Sequence, residues 1–407
     1  MARSDPKEQH PPVPRHERST GMASSPQRHR RSRSLRRGPL LGTVLTVTVA
    51  ASVTVAALAH PDGHRAAVSA PKPLARGASS AKAPISAAAS PSPARSRPAS
   101  AKTPARTAHV SGSAADLGGC PVAPADSIWR TPVDTLPVSP HSGAYITAIG
   151  ADQHLHADFG SGTWNGAPMG IPITVIPAGT PAARVGFDYA SESDQGTYPI
   201  PDTALIEGGP SSQGDRHVIA LDTSRCRDYE LYNAHPQGSN VWHAGSGAVF
   251  DLHSDALRQA GWTSADAAGL PILPGLARYD EAATGTIDHA LRITVPRTQA
   301  GYLWPARHSA SDSSDTDLPP MGLRLRLKAS VDISRLSPNA RSIATALKIY
   351  GAIVADNGSP WYVSGTQDQR WNNDVLHQLD FITGSDFEAV DVSTLQISPD
   401  SAAAHQP

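Results

Sequence analysis

Between Gly322 and Ile333 the chain reads GLRLRLKASVDI, an almost perfect alternation of apolar and polar residues. Leu323, Leu325, Leu327, Ala329, Val331 and Ile333 share one face of an extended segment; Arg324, Arg326, Lys328, Ser330 and Asp332 share the other. Side chains switch sides at every residue of a strand, so the pattern predicts a half-buried β-strand. The neighbouring signals agree. His217–Asp222, a turn at Thr223–Cys226 and Arg227–Tyr232 read as a β-hairpin, and Asp356-Asn357-Gly358 reads as a second hairpin turn between AIVA and WYVSG. One helix is signalled: Ser337 caps it, Pro338 suits its first turn, Ile343, Leu347 and Tyr350 form its apolar stripe, and Gly351 ends it. Strands at short intervals, many Pro and Gly and few helices predict a mostly β domain, a β-sandwich or jelly roll with a few short helices.

That domain is expected over residues 116–396, followed by a disordered tail at 397–407. Its residues suffice for one sizeable core, and no internal repeat or second linker interrupts it. Upstream, residues 60–115 are rich in Ala, Ser, Pro, Lys and Arg and hold no Phe, Trp or Tyr, so they bury no core and read as a disordered stalk. Leu40–Ala59 is an uncharged apolar run behind a basic head, residues 1–39, that carries Arg28, Arg30, Arg31, Arg33, Arg36 and Arg37. A basic head stays in the cytoplasm, so everything after Ala59 is expected outside it. The run has the length of a transmembrane anchor, yet Ala57-Leu58-Ala59 also suits signal-peptide cleavage, and both alternatives stand.

Charge divides the chain. Of 35 Lys and Arg, 18 lie in residues 1–115, against 4 of the 36 Asp and Glu; 17 basic and 32 acidic residues remain, a net −15. That excess argues against nucleic acid as a partner and favours a neutral or cationic ligand or simply serves solubility, the plainer reading. The two cysteines, Cys120 and Cys226, lie in the exported part, where an oxidising compartment favours a disulfide between them.

The blocks CPVAPADSIWRTPVDTLPV, DRHVIALDTSRCRDYELY, GSGAVFDL, GWTSADAAGLPILPGLARYDE, DHALRITV, YLWPARH and KIYGAIVADNG cover nearly all of the domain. In this order they resemble a family of exported bacterial proteins. The resemblance implies the domain limits and export, and it transfers no mechanism.

Chemistry is then sought in polar residues at apolar positions. His289 is in phase with Leu291, Ile293 and Val295, which points it inward as an acid/base candidate or as a core histidine. Glu207, Asp215, Arg216 and His217 lie within eleven residues, a set able to supply an acid/base pair for sugar chemistry or to serve a turn. Asp356, in its Asp-Asn-Gly context, reads as a turn residue and only weakly as a catalytic carboxylate. The acidic loop with Asp312, Asp315 and Asp317 lacks the spacing of a calcium loop, and no zinc or cofactor motif is present. Trp242, Trp304, Arg307 and His308 offer the mixture of apolar rings and polar groups that a sugar needs. The favoured expectation is an extracellular carbohydrate-active enzyme, a glycoside hydrolase or polysaccharide lyase acting on a wall or environmental polysaccharide. The alternative is a non-catalytic carbohydrate-binding or wall-associated module on a membrane-anchored stalk.

Overall fold

The computed structural model describes residues 116–407, so the basic head, the apolar run and the stalk lie outside the described residues. No helix among the described residues is long and apolar enough to cross a membrane. The fold is β-rich with few short helices. Six strands form the largest sheet, in the order Phe387–Val390, Arg324–Leu327, Ala352–Asn357, Leu291–Val295, Tyr362–Val363, His156–Ala157. A four-stranded sheet runs Ser246–Asp251, Arg227–Tyr232, Val218–Asp222, Ile173–Ile176, and a second contains His235–Gly238, Val241–Ala244, Ala183–Phe187 and Thr197–Tyr198. Each of the three contains at least one parallel pair.

The alternating stretch is a strand over Arg324–Leu327, but it is buried on both faces. Leu323, Leu325 and Leu327 join Ile343 and Leu347 in the main core. The opposite face is covered by the N-terminal segment. Arg324 donates to the carbonyls of Tyr350 (2.6 Å) and Ile128 (2.9 Å), while Arg326 donates to those of Val133 and Leu136 and pairs with Glu388 at 2.6 Å. The arginines are therefore not a solvated face: they satisfy the carbonyls of a loop that has no ladder of its own.

The first hairpin forms as expected, Val218–Asp222 pairing antiparallel with Arg227–Tyr232. The second does not. Ala352–Asn357 and Tyr362–Val363 both pair with Leu291–Val295, which lies between them, so Asp356-Asn357-Gly358 leads over a strand instead of closing a hairpin. The helix spans Pro338–Ile349, and Gly351 follows it at φ 69°, where a Cβ would lie 2.3 Å from the carbonyl oxygen of Leu325. Residues 397–407 are not a loose tail. Ala402 and Ala404 are buried in the main core, and backbone bonds link Ala402 to Asp255 and Ile128 and Ala404 to Asp126. Their small side chains fit beneath the N-terminal segment, a tertiary contact that polar composition does not announce.

Cys120 and Cys226 are bonded, 106 residues apart. The bond ties the first segment to the hairpin, and a loop of that length contributes on the order of 4 kcal/mol through the unfolded chain. Beside it, the same small core holds two fully buried acids, Asp228 and Glu230. Glu230 accepts the backbone N–H groups of Ile272 and Leu273. Burial and the adjacent Glu230 push the Asp228 carboxyl well above the usual range.

Candidate active site

The site lies where the loop before Val218–Asp222 meets the large sheet. Arg216 adopts a left-handed backbone (φ 53°), and its buried guanidinium donates to the carbonyls of Ala234, Pro210 and Ser212. This clamp fixes the loop on which Asp215 sits. Next to it, His217 Nδ1 lies 2.6 Å from Glu207 Oε2 and Nε2 lies 3.1 Å from the carbonyl of Ala265. Both ring nitrogens face acceptors, so the ring is an imidazolium. Burial alone would lower the His217 pKa, but Glu207 outweighs it and raises it to about 9. Glu207 feels the converse: burial would raise it, and the His217 charge holds it below the ordinary carboxylate range. The pair's contribution to stability is therefore fully present below the unfolded histidine value of about 6.5 and lost as pH rises through about 9 on the His217 side; on the Glu207 side it is lost in strong acid.

The other wall is the polar face of Leu291–Val295. Leu291, Ile293 and Val295 enter the core, whereas Arg292 and Thr294 line a cavity of about 340 Å³ with Asp158, Glu207, Asp215, His217 and Asp356. Arg292 is buried and grips Asp266 with two nitrogens (3.0 and 3.2 Å), Ser364 Oγ at 2.8 Å and Asp356 Oδ2 at 2.9 Å. Asp356 reaches this face through a one-residue irregularity. Ile293 pairs with Val354 but Thr294 pairs with Asp356, so Ala355 is the extra residue. Such a bulge re-aims the side chain that follows it. The Asp356 side chain retains 22 % exposure. Its pKa rises to about 6, mainly because burial disfavours the charge; Arg292 opposes this and Asp266 adds to it.

Asp215 and Asp356 also line a second cavity of about 330 Å³, with Tyr189, Glu192, Tyr232 and His308. The two carboxylates therefore stand at a junction between two recesses. A larger hollow of about 430 Å³ lies elsewhere, against Trp129, Phe250 and Trp262, but its buried cation is already engaged: Arg258 pairs with Asp194 and donates to the carbonyls of Thr263 and Glu192. The junction offers groups still open to a ligand, and it is the better candidate.

Of the residues singled out in the sequence, Glu207, Asp215, His217 and His308 meet here, His217 as a fixed cation and not as a free base. His289 does not join them. It has no exposed surface, lines neither recess, and is bonded to the carbonyl of Ala290 (2.8 Å) and to Glu281 (3.2 Å). It is a satisfied core histidine. We expect His289→Gln to lower stability by about 1–3 kcal/mol, the cost of disturbing a buried hydrogen-bonded group, and to leave the activity per folded molecule unchanged; melting curves paired with active-site titration check this. Trp242 is a core residue with 1 % exposure, Trp304 donates to the carbonyl of Ser401, and Arg307 holds the C-terminal segment through Pro399 and Asp400. None of the three lines either recess.

Arg292, Asp266 and Asp158 were not legible as site residues, and Asp356 reads from sequence as a turn. The available signal was Arg292 itself, a cation in a strand otherwise bound for the core, on the face opposite the one that drew attention to His289. Among the described residues no group of three or more His, Cys, Asp or Glu side chains is arranged to hold a metal ion. No family model, curated protein or solved structure matches this chain.

Proposed function

We propose that this is a glycoside hydrolase acting outside the cytoplasm on an uncharged or amine-bearing polysaccharide. The observation that carries the reading is Asp356: a half-buried carboxyl, oriented by Arg292, at the junction where Asp215 supplies a second carboxylate. Glycoside hydrolysis needs one carboxylic acid to protonate the leaving oxygen and a second carboxylate to act from the other side of the sugar. Asp356, raised to about 6, is suited to hold the proton. Asp215, an exposed carboxylate that lines both recesses, is placed to act as the base or nucleophile. Arg292 and the Glu207–His217 pair act as positioning residues, and Tyr189 and Tyr232 present rings on which a sugar face can lie.

Charge separates hydrolase from lyase. The two cations that line the first recess are committed, Arg292 to Asp266 and Asp356 and His217 to Glu207, which leaves Asp158 and Asp215 without an ion-paired cation among the described residues. Such a wall repels uronate chains and accepts neutral or protonated ones. The acid/base pair favours an enzyme over a non-catalytic wall-associated module, since binding alone gains nothing from a carboxyl raised to about 6. Export rests on the basic head with its apolar run, on the resemblance to exported bacterial proteins, and on the disulfide, which persists in an oxidising compartment. The same N-terminal segment is the proposed membrane tie, and a wall polymer the proposed partner.

The test is incubation of the full chain with β-glucan, xylan, chitosan and polygalacturonate, followed by measurement of new reducing ends and of unsaturated products. Reducing ends from at least one of the first three are expected. Unsaturated ends from polygalacturonate overturn the reading.

A further inference from the structure

The first recess does not end at Tyr362. That residue and Ser359 also line a third, more open hollow of about 470 Å³ with His154, His156 and Asp380. The three hollows are thus neighbours: the second and first share Asp215 and Asp356 as lining, and the first and third share Ser359 and Tyr362. The sheet supplies their floor. Asp356 pairs with Thr294, Thr294 with Tyr362, and Tyr362 with His156, so the four residues form one row across four adjacent strands. At a strand spacing of about 4.8 Å the row is about 14 Å long. The rings of Tyr362 and His156 lie 4.3 Å apart at the far end of this row, a tilted aromatic pair. On the other side of Asp356 the second recess carries Tyr189 and Tyr232.

We infer that these hollows form one groove for an extended sugar chain, with cleavage at an internal bond held at Asp215 and Asp356. The inference rests on the hydrolase reading for the cut and on the row of residues for the groove. Each hollow taken singly is near the lower end of the roughly 300–1,000 Å³ of small-ligand sites; joined, they suit a polymer better than a single sugar. The carboxyl pair lies inside the groove and not at its closed end, so chain is accommodated on both sides of the scissile bond. The long arm passes over Tyr362 and His156, whose rings stack on sugar faces, and the short arm passes between Tyr189 and Tyr232.

The experiment uses the full chain with cello-, laminari-, xylo- and chitosan oligosaccharides of two to eight units, labelled at the reducing end. Binding is measured by calorimetry on the Asp356→Asn protein and cleavage by chromatography on the unaltered one. For the accepted series, affinity should rise with length beyond the size that one hollow holds and then level off, and the first products should come from internal bonds. Tyr362→Ala and, separately, His156→Ala should weaken binding of the longest oligomer at least tenfold, while Trp164→Ala, at an exposed ring that lines none of the three hollows, should not. Release of single units from one end, affinity independent of length, or unchanged binding in both ring variants overturns the groove. Length-dependent binding that Tyr362→Ala weakens, with no oligomer ever cut, leaves the groove standing and retires the hydrolase.

Discussion

Asp356→Asn is expected to lower turnover by about 10²–10⁴-fold, the usual contribution of a positioned proton donor, without unfolding the protein. The asparagine keeps the shape and still accepts from Arg292, so the loss resides in the proton and not in packing. The pH profile makes the assignment specific. A general acid works only while protonated, and Asp356 is raised to about 6, so kcat/KM for the unaltered protein should be high below about 6 and fall above it. The variant should lack that limb. Stability should follow pH in the same sense. A carboxyl whose folded pKa exceeds its unfolded value of about 3.9 stabilises the fold fully below that value, and the contribution is lost as pH rises through about 6. At neutral pH, therefore, Asp356→Asn should melt no lower than the parent. A variant that retains full turnover, or loses it only in proportion to unfolded protein, would remove Asp356 from the chemistry.

Arg292→Met is expected to cost about 3–5 kcal/mol of stability, because it strands the Asp266 carboxylate in a site from which water is excluded. The guanidinium is buried among four acceptor atoms on three side chains, and Met fills the volume of its stem without replacing any of those bonds. The double change Arg292→Met with Asp266→Leu should regain most of the loss, since exchanging a whole buried pair for apolar groups is often neutral or stabilising. Turnover should stay low in the double variant, where Asp356 has lost the group that orients it. Urea unfolding of the four proteins checks the cycle. A cost below about 1 kcal/mol for the single change, the range of a surface pair, would mean that Arg292 is not the clamp described above.

Several local features were legible because their causes are local. Leu323, Leu325 and Leu327 announce a strand by alternation, Pro338 and Gly351 bracket a helix by their backbone restrictions, and the Thr223–Cys226 turn joins its two strands as neighbours. The disulfide was legible because only two cysteines exist. Half of the site was legible for a related reason: Glu207, Asp215 and His217 lie close along the chain and stay close in the fold.

Its other half was not. Arg292, Asp266 and Asp356 come from segments tens of residues apart, and only the sheet brings them together. Two decisions there belong to tertiary structure alone. The first is what covers the polar face of a strand: alternation separates Leu325 from Arg324 and Leu291 from Arg292, yet one arginine lies beneath the Ile128–Leu136 segment and the other faces a cleft, and neither faces open water. The second is register. A single extra residue at Ala355 places Asp356 opposite Thr294, on the cleft face, where an unbroken period of two would have sent it with Val354 toward the core. Apolar periodicity is a property of neighbours along the chain and therefore determined the strands, the helix and their buried sides. Burial of a charge and the aim of a carboxylate depend on partners supplied by other strands, whose free energy exists only once those strands have packed, and so only the assembled fold could decide them.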